Sequence, residues 1–283
     1  MERVTAQEHA AGQLGAAKLA RLSAQFEATG FVVLANVVSD GDVLDEQQHA
    51  LDLAAAKNVL EDGTRNASGT ALGPLLPRSV QWVKPEISAN PVAESTAAHL
   101  LGGVGFIRWH GSNTALPMPP GAQRLRQDEL EGWAAGEGMQ HLHMDGYGWS
   151  VVTGQQHPTY KIFVNFALSD MVPENGSTQL WPASNRCIPS AKGMPCNVQQ
   201  IDVPTMEPVI RAAAADPVTA PLQVAVPRGG AMFRDLRCWH RGMPNYSPHP
   251  RHMMGVAYGA VRDPRNGHPR PRPRLQQLLQ GCV

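Results

Sequence analysis

Apolar positions recur every three to four residues over 14–29, at Leu14, Ala17, Leu19, Leu22 and Phe26, which predicts an amphipathic helix. Gly30 stops it, and FVVLANVV (31–38) follows as a buried strand rich in β-branched residues. Ser39-Asp40-Gly41-Asp42 forms a cap-like break before a second helix over roughly 42–60, and 91–102 predicts another short one. The stretch 61–80 reads as loop. From residue 104 the pattern changes to short apolar runs divided by Gly, Pro and Asn. GFIRW (105–109), QHLHMD (140–145), YKIFVNFAL (160–168), STQLWPAS (177–184), LQVAVP (222–227), GAMFRD (230–235) and HMMGVAYGAV (252–261) predict strands. Helices first and strands later predict an α+β fold, its β core an antiparallel barrel or a double-sheet jelly roll.

Two segments stand apart from this pattern. RLRQDELEGWAAGEG (124–138) is charged and ends in glycines, which predicts a short helix and a lid, with Trp133 placed to cover a bound substrate. RDPRNGHPRPRPR (262–274) is basic and proline-rich, so 262–283 is expected to be an extended or disordered tail.

A chain of 283 residues is long enough for one large domain, taken here as 1–283. The 24 basic and 24 acidic residues cancel, so no global field draws the chain to nucleic acid or to an anionic membrane. No apolar run approaches the roughly 20 residues of a membrane span, and residues 1–22 lack the pattern of a secretory signal. The four cysteines have no close spacing, so free thiols in a reducing cytoplasm are expected.

The chemistry concentrates at His143-Met144-Asp145, at His240 97 residues later, and at Arg251. Two imidazoles and one carboxylate are the donors of a facial triad, which holds ferrous iron by one face and leaves the other open. In an extended segment residues i and i+2 point the same way, so His143 and Asp145 can reach one ion. Arg251, on a neighbouring strand, offers a planar fork for a carboxylate. By the same alternation His141 faces away from the metal, and His249 and His252 are expected to face outward. Tyr147, Trp149 and Trp239 flank the proposed ligands, as a substrate wall or as packing at the barrel mouth. Asn113 either lines the pocket or forms a turn.

EATGFVVLANVVSDGDV (27–43), QHLHMDG (140–146), PENGSTQLWPASNR (173–186) and PRGGAMFRDLRCWHRGMPNYSPHPR (227–251) together resemble the phytanoyl-CoA dioxygenase family. The chain departs from the family at Pro182-Ala183-Ser184-Asn185, where members continue Pro-Gly-Ser-His. The resemblance implies a double-stranded β-helix with N-terminal and flanking helices, in which His143, Asp145 and His240 bind Fe(II). It also implies 2-oxoglutarate and O2 as cosubstrates. Arg251 would grip the far carboxylate of 2-oxoglutarate, with Gln140 and Thr178 donating to the same molecule. The substrate would be a small molecule, plausibly a secondary metabolite, undergoing hydroxylation, desaturation, epoxidation or ring rearrangement. Asp145 occupies the place that related halogenases vacate for chloride, so a halide has no seat. Two alternatives share the ligand set: a cupin-like hydrolase or isomerase that does not use 2-oxoglutarate, and a non-catalytic binding module.

Overall fold

The computed structural model describes residues 1–60, 71–72, 83–103, 106–131, 136–145, 159–186 and 210–260. The expected tail, Trp133, Tyr147 and Trp149 lie outside them. The helices include α1 (Ala6–Ala11), α2 (Ala16–Thr29), α3 (Gly41–Leu60), α4 (Pro85–Ser88), α5 (Pro91–Leu100) and α6 (Gln127–Glu131). The first five strands are β1 (Glu2–Arg3), β2 (Phe31–Ala35), β3 (Ala71–Leu72), β4 (Phe106–Ala115) and β5 (Lys161–Ala167). The other five are β6 (Gln179–Leu180), β7 (Leu222–Gln223), β8 (Ala231–Asp235), β9 (His240–Arg241) and β10 (Arg251–Ala260).

Local chemistry sets the helix ends. Thr5 and Glu8 form a reciprocal capping box at α1. Asp40 accepts from the Asp42 and Val43 N–H groups at the start of α3. The Asn90 side chain accepts from the Ala93 N–H, with Pro91 opening α5. Gly30 ends α2 with φ 82°, and a Cβ there would collide with the Cys238 sulfur. Both requirements select glycine.

The strands form a seven-stranded sheet in the order β1-β2-β8-β5-β10-β4-β3 and a three-stranded sheet in the order β7-β6-β9. They are two facing sheets of a double-stranded β-helix, not a closed barrel. Alternation along β5, β8 and β10 divides the large sheet. Ile162, Val164, Phe166, Phe233, Met254, Val256 and Tyr258 face outward, onto Leu22 and Phe26 of α2, Leu44 and Leu51 of α3, and Ala93 and Ala97 of α5. Ala167, Met232 and Met253 face inward, onto Leu180, Val224 and Val226 of the small-sheet side.

Some expectations change. QHLHMD is not a ladder strand: within 140–145 only His143 makes a β-bridge, to His240. His252 points away from the inner face as expected, yet it is fully buried, because α3 covers that side. Its Nδ1 lies 2.6 Å from Thr114 Oγ1 and its Nε2 2.9 Å from Asp52 Oδ1 on α3. No helix among the described residues is long and apolar enough to cross a membrane.

A pH test follows from α1. Burial alone would push the Glu8 carboxyl up, but bonds from Lys18 and from the Gly15 and Thr5 N–H groups outweigh it and hold the pKa at about 2. The folded pKa lies below the ordinary 4.5, so the stabilisation is present above that pH and is lost as pH falls toward 2. Glu8→Gln is expected to cost about 1 kcal/mol at pH 7. Urea unfolding across a pH series should show the gap between variant and parent closing below pH 4.5.

Candidate metal centre

The segment 140–145 runs beside 236–242 and is joined to it by backbone bonds. His143 N–H donates to the His240 carbonyl at 3.0 Å, and His240 N–H returns the bond to His143 at 2.9 Å. On either side, Gln140 N–H donates to Gly242 O at 3.0 Å and Asp145 N–H to Leu236 O at 2.9 Å. This ladder brings the three expected donors together. Their ligand atoms all lie within 4.8 Å of one another. The His143 and His240 rings sit 4.2 Å apart, and Nε2 of His240 is 3.2 Å from Asp145 Oδ2.

Both imidazoles are aimed by carbonyls. His143 Nδ1 lies 2.8 Å from the His141 carbonyl, and His240 Nδ1 lies 3.0 Å from the Cys238 carbonyl. A proton on each Nδ1 leaves each Nε2 lone pair free for a cation. Burial pushes the His143 pKa down to about 4, reinforced by His240, so the ring is neutral at ordinary pH. Burial would raise the Asp145 carboxyl, but His240 and Arg234 outweigh it and hold the group well below the usual carboxylate range. Two imidazoles and one carboxylate suit a divalent first-row metal.

A cavity of about 240 Å³ opens beside the triad. Arg251, Thr178 and Gln140 line it, and so does Asn113, for which the sequence left a turn equally open. Arg251 stands at the head of β10 and is 3% exposed. Its Nη2 donates to the Gly176 carbonyl at 2.7 Å, while its Nε and Nη1 have no partner among the described residues. Burial lowers its pKa to about 10, so it stays charged at neutral pH. A buried guanidinium with two unused donors facing a cavity fits a carboxylate of a ligand. Gln140 Oε1 accepts from the Gly242 N–H at 2.7 Å, which leaves the amide NH2 as the group available to the cavity. A Cβ at Gly242 would lie 2.7 Å from that oxygen, so glycine permits the approach.

Trp239 does not line the cavity. It is 1% exposed and packs with Leu142, Trp181 and Ile210 behind the small sheet. His240 faces the cavity, so its neighbour on the strand must face the other way. Arg241 points to the same outer side, where its Nη2 donates to the Leu130 carbonyl at 2.7 Å and its Nε to Gln179 Oε1 at 2.7 Å. Gln179 Nε2 adds a bond to Leu130 O, so α6 within the 124–138 segment is held against that outer face. Cavity-lining residues not foreseen from the sequence are Arg234, Phe163, Asn165 and Met253. The signal for Arg234 was present, as a charged residue inside the apolar strand run GAMFRD.

This fold carrying this donor set defines a non-haem iron oxygenase class. The profile of the phytanoyl-CoA dioxygenase family (PhyH) matches residues 26–253. Ectoine dioxygenase of Nocardia farcinica is 24% identical over 258 residues, 84% of this chain and 76% of that protein. The epimerase SnoN, solved in complex with Fe3+, alpha ketoglutarate and nogalamycin RO, superposes with a TM-score of 0.57 at 17% identity, over 87% of this chain and 85% of that one. The non-heme alpha ketoglutarate dependent carbocyclase SnoK from nogalamycin biosynthesis gives 0.56 at 16%, over 85% and 83%. The chain belongs to the phytanoyl-CoA dioxygenase family. It is a non-haem dioxygenase dependent on Fe(II) and 2-oxoglutarate.

The placement of Trp239 is open to measurement. Trp239→Ala should cost about 3–5 kcal/mol of stability in urea unfolding. Its KM for 2-oxoglutarate should stay within about twofold of the parent's, since the cavity wall is untouched and a shift of that size is under 0.5 kcal/mol.

Proposed function

We propose that this dioxygenase oxidises a small molecule of secondary-metabolite type, with His143, Asp145 and His240 holding Fe(II) and Arg251, Gln140 and Thr178 holding 2-oxoglutarate. One observation carries the assignment: the convergent triad stands in the same cavity as a buried Arg251 with two unused donors. An enzyme that did not use a diacid would have no need of that arrangement, which sets aside the cupin-like alternative. Bound iron and 2-oxoglutarate supply dioxygen activation and its oxidising power.

The chain's own residues supply orientation and exclusion of water. Arg251 anchors the far carboxylate through its fork, and Gln140 and Thr178 donate to the same molecule from across the cavity. Asn113, on the inner face of β4, lines the cavity with Phe163 and Asn165, a mixed polar and apolar surface suited to a small, partly polar substrate. Tyr147 and Trp149, two and four residues beyond Asp145, complete the proposed substrate wall on sequence grounds. The relatives' names point to the same kind of substrate: one is an ectoine dioxygenase, and two belong to nogalamycin biosynthesis.

Anaerobic addition of 2-oxoglutarate to the Fe(II) protein should raise a metal-to-ligand charge-transfer band, and admission of oxygen should release succinate. His240→Ala should abolish both. Arg251→Lys should raise the KM for 2-oxoglutarate at least about tenfold, because an ammonium cannot make the bidentate contact, while iron affinity stays unchanged. An Arg251→Lys enzyme with an unaltered KM would remove Arg251 from the cosubstrate site.

A further inference from the structure

Arg234 lines the cavity and touches the triad itself. Alternation on β8 sends Phe233 to the outer core and Arg234 to the inner face, where it is 4% exposed. Its Nη2 donates to Asp145 Oδ2 at 2.7 Å, and its Nη1 lies 3.1 Å from Nδ1 of His240. The Phe163 ring lies beneath it, 5.8 Å from the guanidinium carbon. Nε has no partner among the described residues. With the His240 proton on Nδ1, that second approach is donor to donor, so the bond to Asp145 is the one by which Arg234 holds the triad.

The Cys238 carbonyl already orients His240, so the part left to Arg234 is the carboxylate. Among the described residues, Arg234 is the only group besides the two imidazoles in polar contact with the Asp145 side chain. A buried guanidinium carries a desolvation cost of several kcal/mol. It also places a positive charge beside a site meant for a cation, which opposes metal binding. Its presence there needs a function that outweighs both.

We infer that Arg234 is a positioning residue that acts through Asp145, its rigid guanidinium holding Oδ2 through Nη2 so that the carboxylate stays beside His240 in the orientation a metal requires. The inference rests on the triad being the metal site. Charge alone would have the opposite effect, because removing a nearby cation strengthens metal binding. The two roles therefore predict opposite signs.

The test is Mn(II) titration of the metal-free protein, followed by EPR of the free ion, for wild type, Arg234→Lys and Arg234→Met. Positioning by the guanidinium predicts that both variants bind Mn(II) about 10- to 100-fold more weakly. Lysine fails alongside methionine because a point charge does not fix the carboxylate orientation. Visible spectra of the Co(II)-loaded variants should shift together with the affinity, which a purely structural role would not cause. Methionine binding as tightly as wild type or tighter overturns the inference, as does lysine binding like wild type. Far-UV circular dichroism checks the fold. If neither Arg234 variant folds, Phe163→Leu loosens the guanidinium with the triad intact and should weaken Mn(II) about two- to fivefold, and no change there also overturns the inference. A wild type that binds no Mn(II) fells the triad assignment itself, whereas wild-type binding with unaffected variants fells only the role of Arg234.

Discussion

The reciprocal backbone bonds between His143 and His240 are the constraint on which the site depends. They join segments 97 residues apart at the level of the main chain, so the two imidazoles are aligned before any metal arrives. Leu142, the chain neighbour of His143, faces the opposite side and packs with Trp181 and Trp239. Burial of these large apolar groups draws the two segments together, and alternation then presents the donors on the other side. The apolar cluster and the candidate metal site are thus two faces of one pairing. Removing Trp239 would weaken the support of that pairing, not the cavity wall.

The large sheet repeats the same division. Helices α2, α3 and α5 cover its outer face, and the cavity and small sheet lie against its inner face. With both faces buried, strands such as KIFVNFA and HMMGVAYGA lose the hydrophobic–polar alternation of a half-exposed sheet and read as apolar runs. Polar residues inside those runs then carry information. Asn165 and Arg234 face the cavity, and His252 faces α3.

This explains what was legible in the sequence. The helix at 16–29, the strand at 31–35 and the long strands 161–167, 231–235 and 251–260 were visible as periodic or apolar runs with clear stops. His143, Asp145, His240 and Arg251 were visible because their chemistry, order and spacing agree, and the structure brings all four to one cavity. Proximity to His240 suggests a wall role for Trp239, but the alternation that turns His141 from the metal also sends Trp239 to the outer side. The outward direction of His252 is legible in the sequence, and the helix that covers it is not. The 140–145 segment read as a strand because its side chains alternate, yet its backbone meets its partner at spaced points and forms no continuous ladder. Arg234 was passed over, although a charge within an apolar strand demands a buried partner.

Three buried arginines show how environment assigns a role to one side-chain type. Arg241 meets the Leu130 and Glu129 carbonyls, the Gln179 amide oxygen and the face of Trp181, so it serves as a clamp for α6. Arg234 meets the Asp145 carboxylate and is neutralised by it. Among the described residues Arg251 meets one carbonyl only, although burial lowers its pKa, like that of Arg241, to about 10. A guanidinium held from water with two donors idle is a local instability that the fold does not relieve from within. An incoming carboxylate would relieve it, so under the proposed placement of the diacid part of its binding free energy would come from strain already present in the free protein. The same incompleteness gives selectivity. A neutral ligand leaves the charge uncompensated, and a second cation is repelled, so the cavity favours an anion at Arg251 before any contact at the metal is made.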